Sequence, residues 1–437
     1  MKILQKISLL CLITLAAFFC VPQTVARAAD NDSGVDVAAS PEPVQTEVPA
    51  EGEIPLSELR FDEQSFPPVV LGSDPVLLTV KEFEGLSCQW ESQNPYIATV
   101  DKDGRVTAVA AGTAILNVTV TDEEEKEYVF EILLRIVNPH FKSESQNLAS
   151  GCYGVIEVKD SSGSPVTFST SNKKIVSYVS DEEGNIKIKA GKKTGTATIT
   201  VVADGVTLTC KITVTNPEFK QYYGFYQKNK SFQVVLKGIN KKSKPHWSCL
   251  NEKAASVNQS GRGRTKTLGS TLVLCHVDGK TLAYHLAVGT KCAVKAMRWG
   301  YSKLGKCRYS QARRMNKVYF DCSSFVYRCY RAAGKYLVRK VSWAPVAADI
   351  GHYYVLKKKR VKPSGKTYKP EKLRPGDLIC FGGKKASRNG RYKRIYHIAM
   401  YIGNGKTMES SSTYNNVVIR DRGIFEKSDV PVIVRPA

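Results

Sequence analysis

The chain has 437 residues, 42% hydrophobic and 24% charged, which is ordinary globular usage and excludes wholesale disorder. That length exceeds one compact domain and points to three or four. The formal net charge is +24, yet residues 1–216 hold 18 Lys and Arg against 29 Asp and Glu, while residues 217–437 hold 46 against 11. Such a break excludes one uniform surface and argues for modules with different partners.

Lys2 and Lys6 precede an apolar stretch from Ile7 to Phe19, and Ala26-Arg27-Ala28 fits a small-x-small cleavage site. Residues 1–28 therefore read as a signal peptide. A lipoprotein signal at Cys20 fits less well, because bulky Phe18 and Phe19 precede it. No other stretch is apolar enough to span a bilayer, so no transmembrane anchor is expected and the mature protein is expected to be secreted. Residues 29–54, rich in Pro, Ala, Glu and Val, read as a flexible acidic linker.

An internal repeat follows. Trp90-Glu91-Ser92-Gln93-Asn94 is echoed by Phe168-Ser169-Thr170-Ser171-Asn172 and by Trp247-Ser248-Cys249-Leu250-Asn251. Each is followed by an apolar segment ending in Val (Val100, Val179, Val257), then by a Gly step (Gly112-Thr113, Gly195-Thr196, Gly269-Ser270). An alternating strand closes each unit, as in Ala114–Val120. Short period-2 runs separated by turns describe small β-sandwiches. The segment Trp90–Ala114 resembles the bacterial Ig-like group 2 domain, with the later copies progressively more divergent. The resemblance implies spacers or surface-binding modules at 55–139, 140–217 and 218–290, with no catalytic constellation. His140, His246, His276 and His285 lack ligand spacing and read as ordinary surface or core residues.

Ten of the twelve cysteines lie outside the leader, and none forms a CxxC pair, so a structural zinc site is not expected. Most read as small buried apolar residues. Cys152 and Cys210 sit in strand-like runs of one repeat and are the plausible disulfide partners.

The catalytic candidate lies in the basic C-terminal third, residues 291–437. Val294–Leu304 has helical character, with Gly305 as its cap. Asp321-Cys322-Ser323-Ser324-Phe325-Val326 opens a second helix that ends near Gly334. Cys322 falls in its first turn, where unpaired N–H groups and the helix dipole favour a thiolate. A Cys nucleophile needs an imidazole as base and later as acid, and the imidazole needs a polar group to orient it. Only His352 and His397 follow residue 290. His352 reads as lying in a loop, whereas His397 starts a strand and has a fixed direction. Glu409 lies on the next strand, across the Asn404-Gly405 turn. A regular two-residue turn would put Glu409 and His397 on opposite faces. A three-residue turn, or a bulge at Gly405, puts them on one. The sequence therefore predicts an irregular hairpin.

The Asp-Cys-Ser-Ser-Phe-Val, Pro-Gly-Asp-Leu and His-Ile-Ala-Met-Tyr-Ile-Gly-Asn-Gly segments, in this order, resemble the NlpC-type cell-wall cysteine peptidases. The resemblance implies a multidomain fold class: three all-β Ig-like sandwiches followed by an α+β papain-like domain. It implies Cys322 as nucleophile, His397 as general base and Glu409 as the third polar group. In that family the third group is often His, Asn or Gln. Tyr309 matches a substrate-binding Tyr. Asp321 and Ser323 flank the nucleophile and are expected to help hold a stem-peptide amine. The usual Trp-Gly-Gly is absent from Gln311-Ala312-Arg313-Arg314, and Ser324 replaces a common Gly. The implied reaction is cleavage of peptidoglycan stem peptides at the γ-D-glutamyl–diamino acid bond through a thioester, with no metal or cofactor. Competing readings are an inactive wall-binding or adhesive protein, and an N-acetylmuramoyl-L-alanine amidase using the same site. The basic runs at Lys357–Arg360 and Lys384–Arg394 fit attraction to anionic wall polymers. No specific nucleic-acid motif is present.

Overall fold

The computed structural model describes residues 56–437 apart from 63–64, 183 and 385. The expected signal peptide and acidic linker lie outside the described residues. From residue 56 to 289 the described chain is almost entirely β. It forms three successive pairs of sheets, the third with an added two-stranded sheet, each with its own core.

In the first pair the strand Gly112–Thr121 alternates inward and outward, burying Ala114, Leu116, Val118 and Val120. It pairs antiparallel with Glu127–Val137, and a three-stranded sheet completes the unit. Two four-stranded sheets form the second pair. In the third, strands Gly269–Val277 and Lys280–Gly289 make the central hairpin. The repeated Asn has one local role throughout. The carbonyls of Asn94, Asn172 and Asn251 accept from the N–H three residues on, at 2.8, 3.0 and 3.0 Å, closing the same turn after each aromatic anchor.

The disulfide expected between Cys152 and Cys210 is absent; all ten described cysteines are free. Cys210 precedes Lys211, which pairs with Ser145, whereas Cys152 packs near Ala149 beside Thr215 at the far end of the same strand. Five residues of strand separate the two levels, roughly 16 Å at the usual rise, well beyond disulfide reach.

The C-terminal domain follows the third sheet pair after a single residue. The Thr290 side chain caps helix α1 (Lys291–Tyr301) by accepting from Ala293 N. This cap starts the helix earlier than the periodicity suggests, and α1 ends at Tyr301, before Gly305. Helix α2 (Cys322–Ala332) packs against α1. It rests on a five-stranded antiparallel sheet of β1 (Leu378–Phe381), β2 (His397–Gly403), β3 (Lys406–Ser411), β4 (Asn416–Asp421) and β5 (Val432–Val434), in the order β4-β3-β2-β1-β5. Phe325, Val326, Cys329 and Tyr330 of α2 are fully buried against Met297, Met400 and Met408. Helix α3 (Ala347–Leu356) packs on the other end of the sheet, against β5 and β1.

Contacts from the third sheet pair reach two parts of this domain. Arg298 of α1 donates to the Phe225 carbonyl from Nε (3.0 Å) and Nη2 (2.7 Å). At the tip of the β2–β3 hairpin, Asn404 N donates to Ser270 Oγ (2.9 Å), and Asn404 Nδ2 donates to the Thr271 carbonyl (3.0 Å).

Candidate active site

The site begins with the cap of α2. Asp321 accepts from Ser324 N at 2.7 Å, and Ser324 Oγ accepts from Asp321 N at 3.0 Å, a reciprocal box that fixes where the helix starts. Cys322 is thereby the first helical residue, 6% exposed. The N–H groups of Cys322 and Ser323 carry no protein acceptor among the described residues. They and the helix dipole favour negative charge at this end.

His397 opens β2, held where Phe381 of β1 pairs with it. Cys322 is near enough to act on its ionisation. Burial disfavours the imidazolium, but contacts with Cys322 and Glu409 outweigh it and lift the His397 pKa to about 9. Glu409 Oε2 lies 3.5 Å from His397 Nε2, an ion-pair separation. The ring nitrogen facing the carboxylate is thus Nε2.

The hairpin makes this pairing possible. Gly403 pairs with Lys406 across Asn404-Gly405, but Tyr401 pairs with Thr407 and Met400 with Met408. The register shifts by one residue at Ile402. The irregularity expected from parity is therefore present, as a bulge in β2 beside the turn rather than at Gly405. It brings the side chains of positions 397 and 409 to one face.

Glu409 is fully buried and has more partners than His397. Arg422 Nη2 reaches both of its oxygens, at 2.6 and 2.8 Å, and Thr407 Oγ1 donates at 3.1 Å. Arg420 Nη1 stands 3.6 Å away. Burial acts to raise the Glu409 pKa, yet His397 and Arg422 outweigh it and hold it at about 2. The carboxylate is thus a fixed anion beneath the imidazole. Arg422 also stands over the Phe381 ring, 4.6 Å from its centroid, and Phe381 in turn packs on His397. We expect Arg422→Gln to lower kcat about tenfold with KM little changed, the scale for a group that positions a catalytic side chain through its partner. Steady-state kinetics check this, and an unchanged kcat would remove Arg422 from that role.

Tyr309 sits on a short strand that pairs in parallel with Tyr319–Phe320, just ahead of Cys322. Its N–H donates to Asn415 Oδ1 at 3.0 Å. Burial first, then the nearby Cys322, push its phenol above the ordinary value.

Asp321 and Ser323 do not offer open groups. Arg314, itself buried, places Nε 3.2 Å from Asp321 Oδ2 and donates from Nη2 to Ser323 Oγ at 2.8 Å. The same Nη2 donates to the Ala344 and Pro345 carbonyls at 3.0 and 3.2 Å. Arg314 comes from the segment that lacks Trp-Gly-Gly, and no sequence signal marked it in so basic a domain. His352 lies apart from the site. It is in α3 rather than a loop, exposed and stacked on Tyr392 at 4.1 Å. Among the described residues no group of His, Cys, Asp and Glu is arranged to hold a metal.

Comparison with known proteins places names on these pieces. Residues 299–427 match the NlpC/P60 family, and residues 81–130 match the bacterial Ig-like domain (group 2). A 63-residue segment is 36% identical to intimin of Escherichia coli O111:H-, covering 14% of this chain and 7% of that protein. The chain thus spans a small part of the curated relative it matches. Among solved structures, the peptidoglycan hydrolase RipB of Mycobacterium tuberculosis aligns at 19% identity over 33% of this chain and 64% of its own, with a TM-score of 0.23. Invasin, a bacterial integrin-binding protein, aligns at 16% identity over 47% of this chain and 52% of its own, with a TM-score of 0.24. The chain carries an NlpC/P60 domain at its C-terminal end and a bacterial Ig-like domain upstream.

Proposed function

We propose that this chain, an NlpC/P60 domain behind Ig-like β modules, is a secreted cysteine endopeptidase that cuts peptidoglycan stem peptides. Domain by domain, we read Ig-like modules at 55–139, 140–217 and 218–290 and the peptidase at 291–437. The observation that carries the proposal is the line Cys322–His397–Glu409: a thiol at a helix N-terminus, an imidazole beside it, and a buried anion behind.

In this scheme the Cys322 thiolate attacks the γ-glutamyl carbonyl carbon, and the carbonyl electron pair moves to oxygen. The N–H groups at the start of α2 face that oxyanion; such donors are worth about 3–4 kcal/mol each. The tetrahedral intermediate collapses, the C–N bond breaks, and the His397 imidazolium protonates the leaving amine. Water, deprotonated by His397, then attacks the thioester. Acid is released and the thiol restored. Glu409 holds the ring and its charge throughout. Tyr309 contacts the bound peptide. Asp321 and Ser323 are both held by buried Arg314, so neither offers an open group to a stem-peptide amine.

Incubating the protein with purified peptidoglycan is expected to release fragments with new D-Glu or D-iGln C-termini, identified by mass spectrometry. Cys322→Ala is expected to release none. Peptides with a newly freed L-Ala amine would reassign the enzyme as an amidase, and release by Cys322→Ala would remove Cys322 as nucleophile.

A further inference from the structure

A second concave site lies at the end of the sheet where β1 leaves and β2 begins. Its cavity is about 800 Å³ and is walled by four loops. Lys366, Lys384, Lys393, Arg394 and Lys427 line it, against one carboxylate, Glu426. Among the described residues none of these five cations forms a salt bridge. Glu426 accepts from Ser428 Oγ at 3.2 Å.

The walls are tied to one another. Gly383 N donates to the Lys393 carbonyl at 3.0 Å, and Lys427 N donates to the Lys366 carbonyl at 2.8 Å. Arg394 Nη1 donates to the Lys384 carbonyl at 2.7 Å and to that of Ala386 at 3.2 Å. A Cβ at Gly383 would stand 2.1 Å from the Ser428 carbonyl oxygen, so two loops meet there without room for a side chain. Lys393 and Arg394 both hold left-handed backbone, φ 48° and 55°, a conformation uncommon outside glycine. Strained, cross-tied backbone thus presents like charges to one another. Burial, then Arg360 and Lys427, pull the Lys393 ammonium below its ordinary pKa. A bound anion would relieve this crowding beyond what Glu426 and the Tyr392 ring over which Lys393 stands supply.

The donor chemistry narrows the anion. Four of the five cations are ammonium groups, compact charges with no fixed fork. The guanidinium of Arg394 has Nη1 committed to two backbone carbonyls, which leaves Nε and Nη2 to join the four ammonium groups on one anion. A compact, multiply charged oxyanion fits this set better than a carboxylate. The position matters too: Gly382 and Gly383 directly follow Phe381, the partner of His397. We propose that this cavity binds a phosphate group of an anionic wall polymer and so holds the enzyme on its substrate. The choice of a wall polymer, though not of phosphate, rests on the function proposed above.

Binding to Cys322→Ala protein tests this without any turnover, so a failure here is separate from a failure of the peptidase assignment. Titration calorimetry with poly(glycerol phosphate) at physiological salt is expected to detect binding that a Lys366→Gln, Lys393→Gln, Lys427→Gln triple variant weakens about tenfold or more. A matched triple, Lys241→Gln, Lys242→Gln and Lys244→Gln in the third sheet pair, is expected to change it less than twofold. Circular dichroism shows whether each variant is folded. Equal weakening by both triples would reduce the effect to general charge and overturn the site. Equal affinity for a single-stranded DNA of matched charge, lost in the same variant, would overturn the wall polymer as occupant.

Discussion

His397→Asn is expected to lower kcat/KM by roughly three to four orders of magnitude while leaving the fold intact, because it removes the group proposed as acid and base of both half-reactions. The pH profile adds a sharper test. The His397 pKa is raised to about 9, and the imidazolium must be present to protonate the leaving amine. Activity is therefore expected to fall as pH rises through about 9. Contacts with Cys322 and Glu409 produce that elevation against the effect of burial. Glu409→Gln removes one of them and is expected to move the alkaline limb to lower pH, with kcat reduced. An alkaline limb still near 9 in Glu409→Gln would assign the elevation to Cys322 alone. The same shifts bear on stability. A His raised above its ordinary 6.5 contributes stability that is complete below that value and lost as pH rises through about 9. Glu409, held at about 2, contributes stability above 4.5 that is lost as pH falls toward 2.

Arg314→Ala is expected to cost about 3–5 kcal/mol in folding stability, the scale for removing one partner of a buried ion pair. The side chains of Arg314 and Asp321 are each 7% exposed. The substitution strands the Asp321 carboxylate and also leaves the Ser323 hydroxyl and the Ala344 and Pro345 carbonyls without their shared donor. Arg314→Lys is expected to recover only part of the loss, since one ammonium cannot span those four partners. Because Asp321 caps the helix that begins with Cys322, kcat is expected to fall in parallel. Denaturant unfolding of full-length protein checks the first effect. A loss under about 1 kcal/mol would mean that Asp321 is neutralised by something other than Arg314.

Local chemistry explains which parts of the site were legible in the sequence. Asp321 followed three residues later by Ser324 is a helix start that no distant residue has to supply, so the position of Cys322 followed directly. The bulge in β2 was legible by parity, because strand side chains alternate with period two and only an irregular hairpin lets positions 397 and 409 share a face. Arg314 and Arg422 were not legible. In a region with 46 Lys and Arg, nothing local distinguishes a guanidinium that turns inward from one that meets water. The supposed pairing of Cys152 with Cys210 failed for a related reason: a strand-like run reveals which face a residue takes but not its level along a neighbouring strand. His352, read as a loop residue, lies in α3, which carries Gly351 beside it. In the fold that glycine lets α3 approach β1, where a Cβ would meet Cys380 Sγ at 3.1 Å.

The hairpin that sets His397 against Glu409 has its tip held by Ser270 and Thr271 of the preceding sheet pair. Strand Lys280–Gly289 runs into α1 through Thr290 alone, and the Phe225 carbonyl is the acceptor for Arg298. A cut at residue 290 therefore strips the hairpin tip of its hydrogen-bond partners and leaves Arg298 without its acceptor. The third sheet pair and the C-terminal domain are joined by side-chain hydrogen bonds as well as by the chain. A transplant of the C-terminal domain onto another scaffold is therefore expected to keep these contacts only when the last β module travels with it.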